Sequence, residues 1–275
     1  MHDLETIVPY IRPPWWSLKA TIHIDANKEI AEAHHLCTTS PLNNSSGAHI
    51  YTDGSGISNG IGAAMYCHTD QQIEQQYLGK SSESMVYAAE LEAIHMAVTH
   101  IKDHPMQFTE TRIFSDSQPA MRSLAKPKRQ SGQSIIKRIL DEIDALHLIT
   151  PTFAMQLEWV PRHVGIDGNE KADQAAKSAA IEKINPMHQP AILKSARANE
   201  IHQSTAAEQQ RQWVNGKGTA QHLRNITKRN MTKRNQNTKR TRSSAGIYKQ
   251  LHKCKHIAWV ARLRTGHCSL NGYLK

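Results

Sequence analysis

Three strand-like runs follow one another at residues 48–53, 61–67 and 72–78, with breaks too short to hold a helix. Strands joined this closely pair antiparallel as a meander. That constraint comes before any other, because it fixes one edge of a sheet. The first break is Gly54-Ser-Gly-Ile-Ser-Asn-Gly60, and glycines at 54, 56, 60 and 62 allow a sharp turn or a close approach of another backbone. The first run ends on a carboxylate, Asp53. Taken alone, an Asp beside Gly at a strand end is a turn residue.

The texture then changes period. Leu91, Ile94, Val98 and Ile101 recur at helical spacing within 88–101, so this segment is a helix. Residues 111–116 read as a fourth strand, which also ends on an Asp, Asp116. A short helix covers 118–124, and Lys126 to Gly132 is a basic loop. Residues 135–148 form an amphipathic helix, with Ile135, Ile136, Ile139, Ile143 and Leu146 on one side. In 152–160, Phe153, Met155, Leu157 and Trp159 alternate with polar or small residues as a fifth strand. A loop over 162–168 leads into an Ala-rich helix at 169–181. The predicted architecture is α/β, a five-stranded mixed sheet with helices on both faces. Its first three strands are antiparallel, and the fourth and fifth lie parallel to the first through right-handed crossovers. In such sheets ligands gather at the carboxyl ends of the parallel strands, where Asp53 and Asp116 stand.

Composition narrows the partners. The 275-residue chain carries a net charge of +10, which favours a polyanion, nucleic acid before an anionic membrane surface. It has no apolar run of ~18 residues to span a bilayer, and its first residues lack the basic-then-apolar pattern of a secretory signal. Cys37, Cys67, Cys254 and Cys268 make no CxxC pair, in keeping with a reducing compartment. The expected address is intracellular, nuclear or cytoplasmic, and not secreted. Three regions are expected: an extension or linker over 1–46, with a short strand over 20–24 and a helical turn or two over 28–33, a domain over 47–181, and a basic extension over 182–275, partly helical and partly flexible. The last is rich in Lys and Arg between Arg224 and Arg242 and regains helical periodicity over 247–263.

Four acids stand out by their place in this topology: Asp53, Glu90, Asp116 and Asp173. Carboxylates converging on one sheet edge repel unless cations occupy the site. An all-oxygen donor set suits Mg2+, and two such ions about 4 Å apart can activate a water and stabilise the leaving oxygen of a phosphodiester. Each acid taken singly is a solvated surface charge.

These segments resemble a type 1 ribonuclease H domain. Tyr51-Thr-Asp-Gly-Ser55, Ala89-Glu-Leu-Glu-Ala93 and Phe114-Ser-Asp-Ser-Gln118 match its motifs. Trp159-Val-Pro-Arg-His-Val-Gly-Ile-Asp-Gly-Asn-Glu-Lys-Ala-Asp173 matches its last motif almost throughout and is the most specific. The resemblance covers residues 47–181 and implies a ribonuclease H-like fold. It also implies an endonuclease that cuts the RNA strand of an RNA–DNA hybrid with two Mg2+ ions (Mn2+ substituting), leaving 5′-phosphate and 3′-hydroxyl ends. Residue by residue, it makes Asp53, Glu90, Asp116 and Asp173 the metal ligands and His163 a proton-transfer and product-release residue. Asn169 and Glu170 match supporting positions near the metals; helix capping and dipole pairing also account for them.

Gly54, Ser55 and Asn59 in the first hairpin, and Ser117 and Gln118 after Asp116, are placed to touch substrate. The basic helical protrusion of some family members is absent, and the 224–242 tract is the expected compensation, through sequence-blind phosphate contacts. Pro13-Pro-Trp-Trp16 and Leu263-Arg-Thr-Gly-His-Cys-Ser-Leu-Asn-Gly-Tyr-Leu274 resemble the surroundings of this domain in LINE-type (non-LTR) retrotransposon polyproteins, which carry a reverse transcriptase upstream. A monomer is expected. His252, Cys254, His256, His267 and Cys268 lack the spacing of a regular zinc finger. Two other readings compete. An integrase or transposase on the same fold would place a Glu on the late helix, where Asp173 stands. An inactive nucleic-acid-binding module would have lost a matched acid, and all four are present.

Overall fold

A computed structural model describes residues 4–40, 47–104, 107–162, 164–187 and 191–215. His163, the 224–242 tract and the stretch 247–274 therefore lie outside the described residues. The elements are β1 (Thr21–His23), α1 (Lys28–Thr38), β2 (Ala48–Ile57), β3 (Gly60–Cys67), β4 (Ile73–Lys80), α2 (Val86–Asp103), β5 (Glu110–Ser115), α3 (Gln118–Ala125), α4 (Gln133–Ile149), β6 (Ala154–Trp159), α5 (Asp167–Glu182) and α6 (Lys194–Asn215).

The sheet order is β1-β6-β5-β2-β3-β4. β2, β3 and β4 form the antiparallel meander. β5 lies parallel to β2, and β6 parallel to β5. The predicted ribonuclease H-like fold is therefore present. The two faces are covered unequally. α2 packs on one face and is backed by α4, while α5 packs on β2 and β3 from the other. Leu91, Ile94, Val98 and Ile101 of α2 are fully buried, as are Ile136 and Ile139 of α4. On the opposite face the apolar residues α5 buries beyond its first turn are alanines, Ala172, Ala176, Ala179 and Ala180 among them, so that helix lies very close to the strands. A Cβ on Gly62 would stand 2.4 Å from the Ala176 carbonyl oxygen. Only glycine fits that contact.

Among the described residues the sheet has six strands, where the sequence pattern indicates five. The sixth is β1, paired parallel to β6 with Ile22 opposite Leu157. Residues 20–24 read as a short strand of the upstream extension, but no local pattern assigns that strand to this sheet. Their place is set by contacts far away in the chain. Trp16 donates its indole N–H to Asp144 at 2.9 Å, and Arg12 pairs with Asp141 at 2.8 Å. Glu5 is buried, and its carboxylate accepts the amides of Gly132 and Lys194, each at 2.8 Å. Residues 1–200 accordingly form one compact unit.

Helix α1 begins at an Asn27 cap whose Oδ1 accepts the Ile30 amide at 2.9 Å, and it buries Ala31 and His35. His35 packs edge-on against Phe114 with ring centroids 4.7 Å apart, and its Nδ1 has no partner. Burial, aided by His49 and His34, pushes its pKa down to about 4 from an ordinary 6.5. Between those values the unfolded chain binds the proton and the folded one does not, so stability falls as pH drops through that window. The full difference is about 3 kcal/mol. His35→Phe should remove most of this acid sensitivity, seen as a smaller loss of unfolding free energy between pH 7 and pH 4 in urea titrations. An unchanged pH profile would refute it.

Candidate active site

Four elements deliver the carboxylates. Asp53 lies on β2, one residue past the Thr52–Ser115 pair that ends the β2–β5 ladder. Asp116 follows the last residue of β5, and its backbone carbonyl accepts the Trp159 indole N–H at 3.1 Å. Glu90 sits in the second turn of α2. Asp173 sits on α5. Donor oxygens of Asp53, Glu90 and Asp116 can all lie within 4.8 Å of one another. The Asp53, Glu90 and Asp116 side chains are 1–5% exposed.

Gly54 brings Glu90 to the strand. A Cβ there would stand 2.4 Å from the Glu90 amide nitrogen, so α2 can reach β2 only over a glycine.

Electrostatically the cluster is unfinished. Burial, with the Asp116 charge next, raises the Asp53 pKa to about 7. Burial, with Asp53 and then Asp116, raises Glu90 well above the usual carboxylate range. Asp53 Oδ2 and Glu90 Oε2 are buried and accept no hydrogen bond. Buried acceptors of this kind normally have partners. A divalent cation fits them: the donors are all oxygen, they converge, and two of them are unpaired.

Arg162, just beyond β6, is the one cation drawn to all three acids among the described residues. Its Nε donates to Asp116 Oδ2 at 2.7 Å, and one Nη lies 3.2 Å from Asp53 Oδ1 and 3.5 Å from Glu90 Oε1. These contacts raise its pKa. The guanidinium remains 46% exposed, so it can swing away without unfolding anything. We expect Arg162→Ala to lower the thermal midpoint of the metal-free protein and to enlarge the increment that Mg2+ restores. Mg2+ affinity should tighten about three- to tenfold as the competing charge is lost. Calorimetric titration measures it, and unchanged affinity would contradict the competition.

The other predicted residues divide. Asp173 stands outside the three-acid cluster and forms an ion pair with Lys177 one turn on, yet it is near enough to raise the Asp53 pKa. Asn169 is buried with Oδ1 unpartnered. Glu170 is exposed, with its amide bonded to the Ile166 carbonyl. Ser55 is half-buried. Ser117 is buried at the start of α3, and Gln118 accepts from Arg122 at 2.8 Å. Asn59 lies in the β2–β3 turn and is bonded to Ser81, roughly 20 Å along the strand from Asp53, so the structure does not bring it to the acids. The sequence reading did not single out Arg162 as a site residue. Its signal was a lone cation placed directly after a strand whose carboxyl end faces the acids. The Asp173–Lys177 pair was open to the i, i+4 rule.

Comparison with known proteins now adds to this geometry. Residues 45–181 match the family model described as RNase H. The Pol polyprotein of equine infectious anemia virus isolate 1369 is 33% identical over 133 residues, 48% of this chain and 10% of the polyprotein. That of strain Wyoming is 32% identical over the same length. The matched region is thus about a tenth of those relatives. Among solved structures, RNase H1 from the halophilic archaeon Halobacterium salinarum NRC-1 is 22% identical with a TM-score of 0.34, covering 48% of this chain and 96% of that one. LC11-RNase H1, isolated from compost, is 17% identical with a TM-score of 0.38, covering 51% and 100%.

Proposed function

Residues 45–181 being a ribonuclease H domain, we propose that this chain hydrolyses the RNA strand of RNA–DNA hybrids, with Asp53, Glu90, Asp116 and Asp173 holding two divalent cations, Mg2+ by preference. The observation that carries the proposal is the convergence of three buried carboxylates, two of them with an unpaired oxygen. Bound there, the cations would supply an activated water and charge for the leaving oxygen.

The chain's own residues do the positioning. β2 and β5 hold Asp53 and Asp116 side by side through the ladder that ends at Thr52 and Ser115. α2 supplies Glu90 across Gly54. Asp173 must exchange its Lys177 partner for a cation, and Arg162 must withdraw. Arg162 then becomes a free, exposed cation beside the phosphate path. His163 is assigned proton transfer during product release on its motif position alone. The net charge of +10 favours the polyanionic substrate.

The retroviral polyprotein relatives support a role beside a reverse transcriptase. The Pro13–Trp16 and 263–274 flanks favour a LINE-type retrotransposon as the source. The test is a panel of end-labelled duplexes in Mg2+: RNA–DNA hybrid, duplex RNA and duplex DNA. Cleavage confined to the RNA strand of the hybrid is expected. Cutting of duplex DNA, or of nothing, would overturn the proposal.

A further inference from the structure

A second group of metal-type donors lies away from the acids. Cys67 ends β3 and is fully buried. Asp70 lies in the β3–β4 turn, and His100 projects from α2 with 5% of its side chain exposed. One donor atom from each, thiol sulfur, carboxylate oxygen and imidazole nitrogen, can lie within 4.8 Å of the other two. His100 Nε2 stands 2.9 Å from Asp70 Oδ2.

A second carboxylate completes the pattern. Glu74, on β4, takes the other ring nitrogen of His100, Nδ1 to Oε1 at 3.3 Å. A carboxylate behind a histidine, fixing the ring while the opposite nitrogen faces a cluster of donors, is the usual outer support of a metal-binding imidazole. From this arrangement we propose that Cys67, Asp70 and His100 form a zinc site, with Glu74 as the positioning residue. Sulfur, nitrogen and oxygen donors are those zinc selects, and Mg2+ does not favour thiolate. The fourth position is open to water, since the Asp70 side chain is 18% exposed. On binding, the thiol proton and the imidazole Nε2 proton pass to buffer, and no electrons move.

The position fits a structural role. Cys67 pairs with Ile50, three residues and about 10 Å along β2 from Asp53. His100 lies ten residues, about 15 Å, from Glu90 on α2. Zinc would thus tie the β3–β4 turn to α2 at the end remote from the acids.

The test uses the full chain, equilibrated with Zn2+ in excess Mg2+ and assayed for bound zinc, with Co2+ as a spectroscopic probe. Wild type and Asp53→Asn should both show thiolate-to-cobalt absorption in the near ultraviolet. Cys67→Ser should lose that band and about one equivalent of zinc. Glu74→Gln removes only the outer support from a partly exposed position, and should weaken zinc affinity about tenfold or more while the protein stays folded. An unchanged band and zinc count in Cys67→Ser would overturn the site, as would the absence of any band in wild type. Because Asp53→Asn keeps the site intact, failure here leaves the nuclease proposal untouched.

Discussion

Asp53→Asn should lower RNA-strand cleavage by about a thousandfold or more, equivalent to about 4 kcal/mol of transition-state stabilisation. Asp53 is the acid that Asp116 and Asp173 both bear upon and that in turn bears upon Glu90. It neighbours Asp116 across the strand pair, it is repelled by Asp173, and it repels Glu90. The amide keeps the shape and loses the charge that would hold a cation. Its effect on stability should go the other way. The Asp53 pKa is raised from its unfolded value to about 7, so the folded chain binds more protons than the unfolded one between roughly pH 4 and 7. Stability is therefore lost as pH rises through that window. In metal-free buffer at pH 8 the variant should melt no lower than wild type. A folded variant that still cuts at the wild-type rate would remove Asp53 from the site.

Gly62→Val should cost about 4 kcal/mol or more and leave little folded protein at 37 °C. The first atom of any side chain there would meet the Ala176 carbonyl oxygen at 2.4 Å and the Ala180 amide nitrogen at 2.5 Å. Both are backbone atoms of α5, so no rotamer change relieves them, and the helix must lift from β3 with Asp173 upon it. Overpacking of this kind exceeds the usual core cost because the neighbour cannot yield. Gly165→Ala is the control. Gly165 has φ of +78° and open space around it, so alanine there pays only backbone strain, about 1 kcal/mol. Urea unfolding of the two variants side by side measures the difference, and equal losses would show that close packing is not what Gly62 serves.

Much of this fold could be read from local pattern. The α2 stripe of Leu91, Ile94, Val98 and Ile101 and the alternation along 152–160 mark elements that the structure bears out within a few residues. Topology followed from segment order, and topology carries Asp53 and Asp116 to adjacent strand ends. What escaped depends on contacts without local periodicity. β1 was legible as a short strand, but its joining the sheet beside β6 depends on where Trp16 and Glu5 meet distant partners such as Asp144 and Lys194. Arg162 became visible as a partner of all three acids only when side chains were in place. The closeness of α5 to the sheet is written in its alanines, but without the strands opposite, an Ala-rich helix says only that something is near.

The most direct measurement counts cations at the acids. Mn2+ titrated into the full chain, with free Mn2+ followed by electron paramagnetic resonance, should show wild type holding about one equivalent or more beyond what Asp53→Asn holds. RNA-strand cleavage should rise with the same occupancy. If the two proteins bind Mn2+ alike, or if cleavage proceeds while that difference is absent, Asp53, Glu90 and Asp116 are not the metal centre.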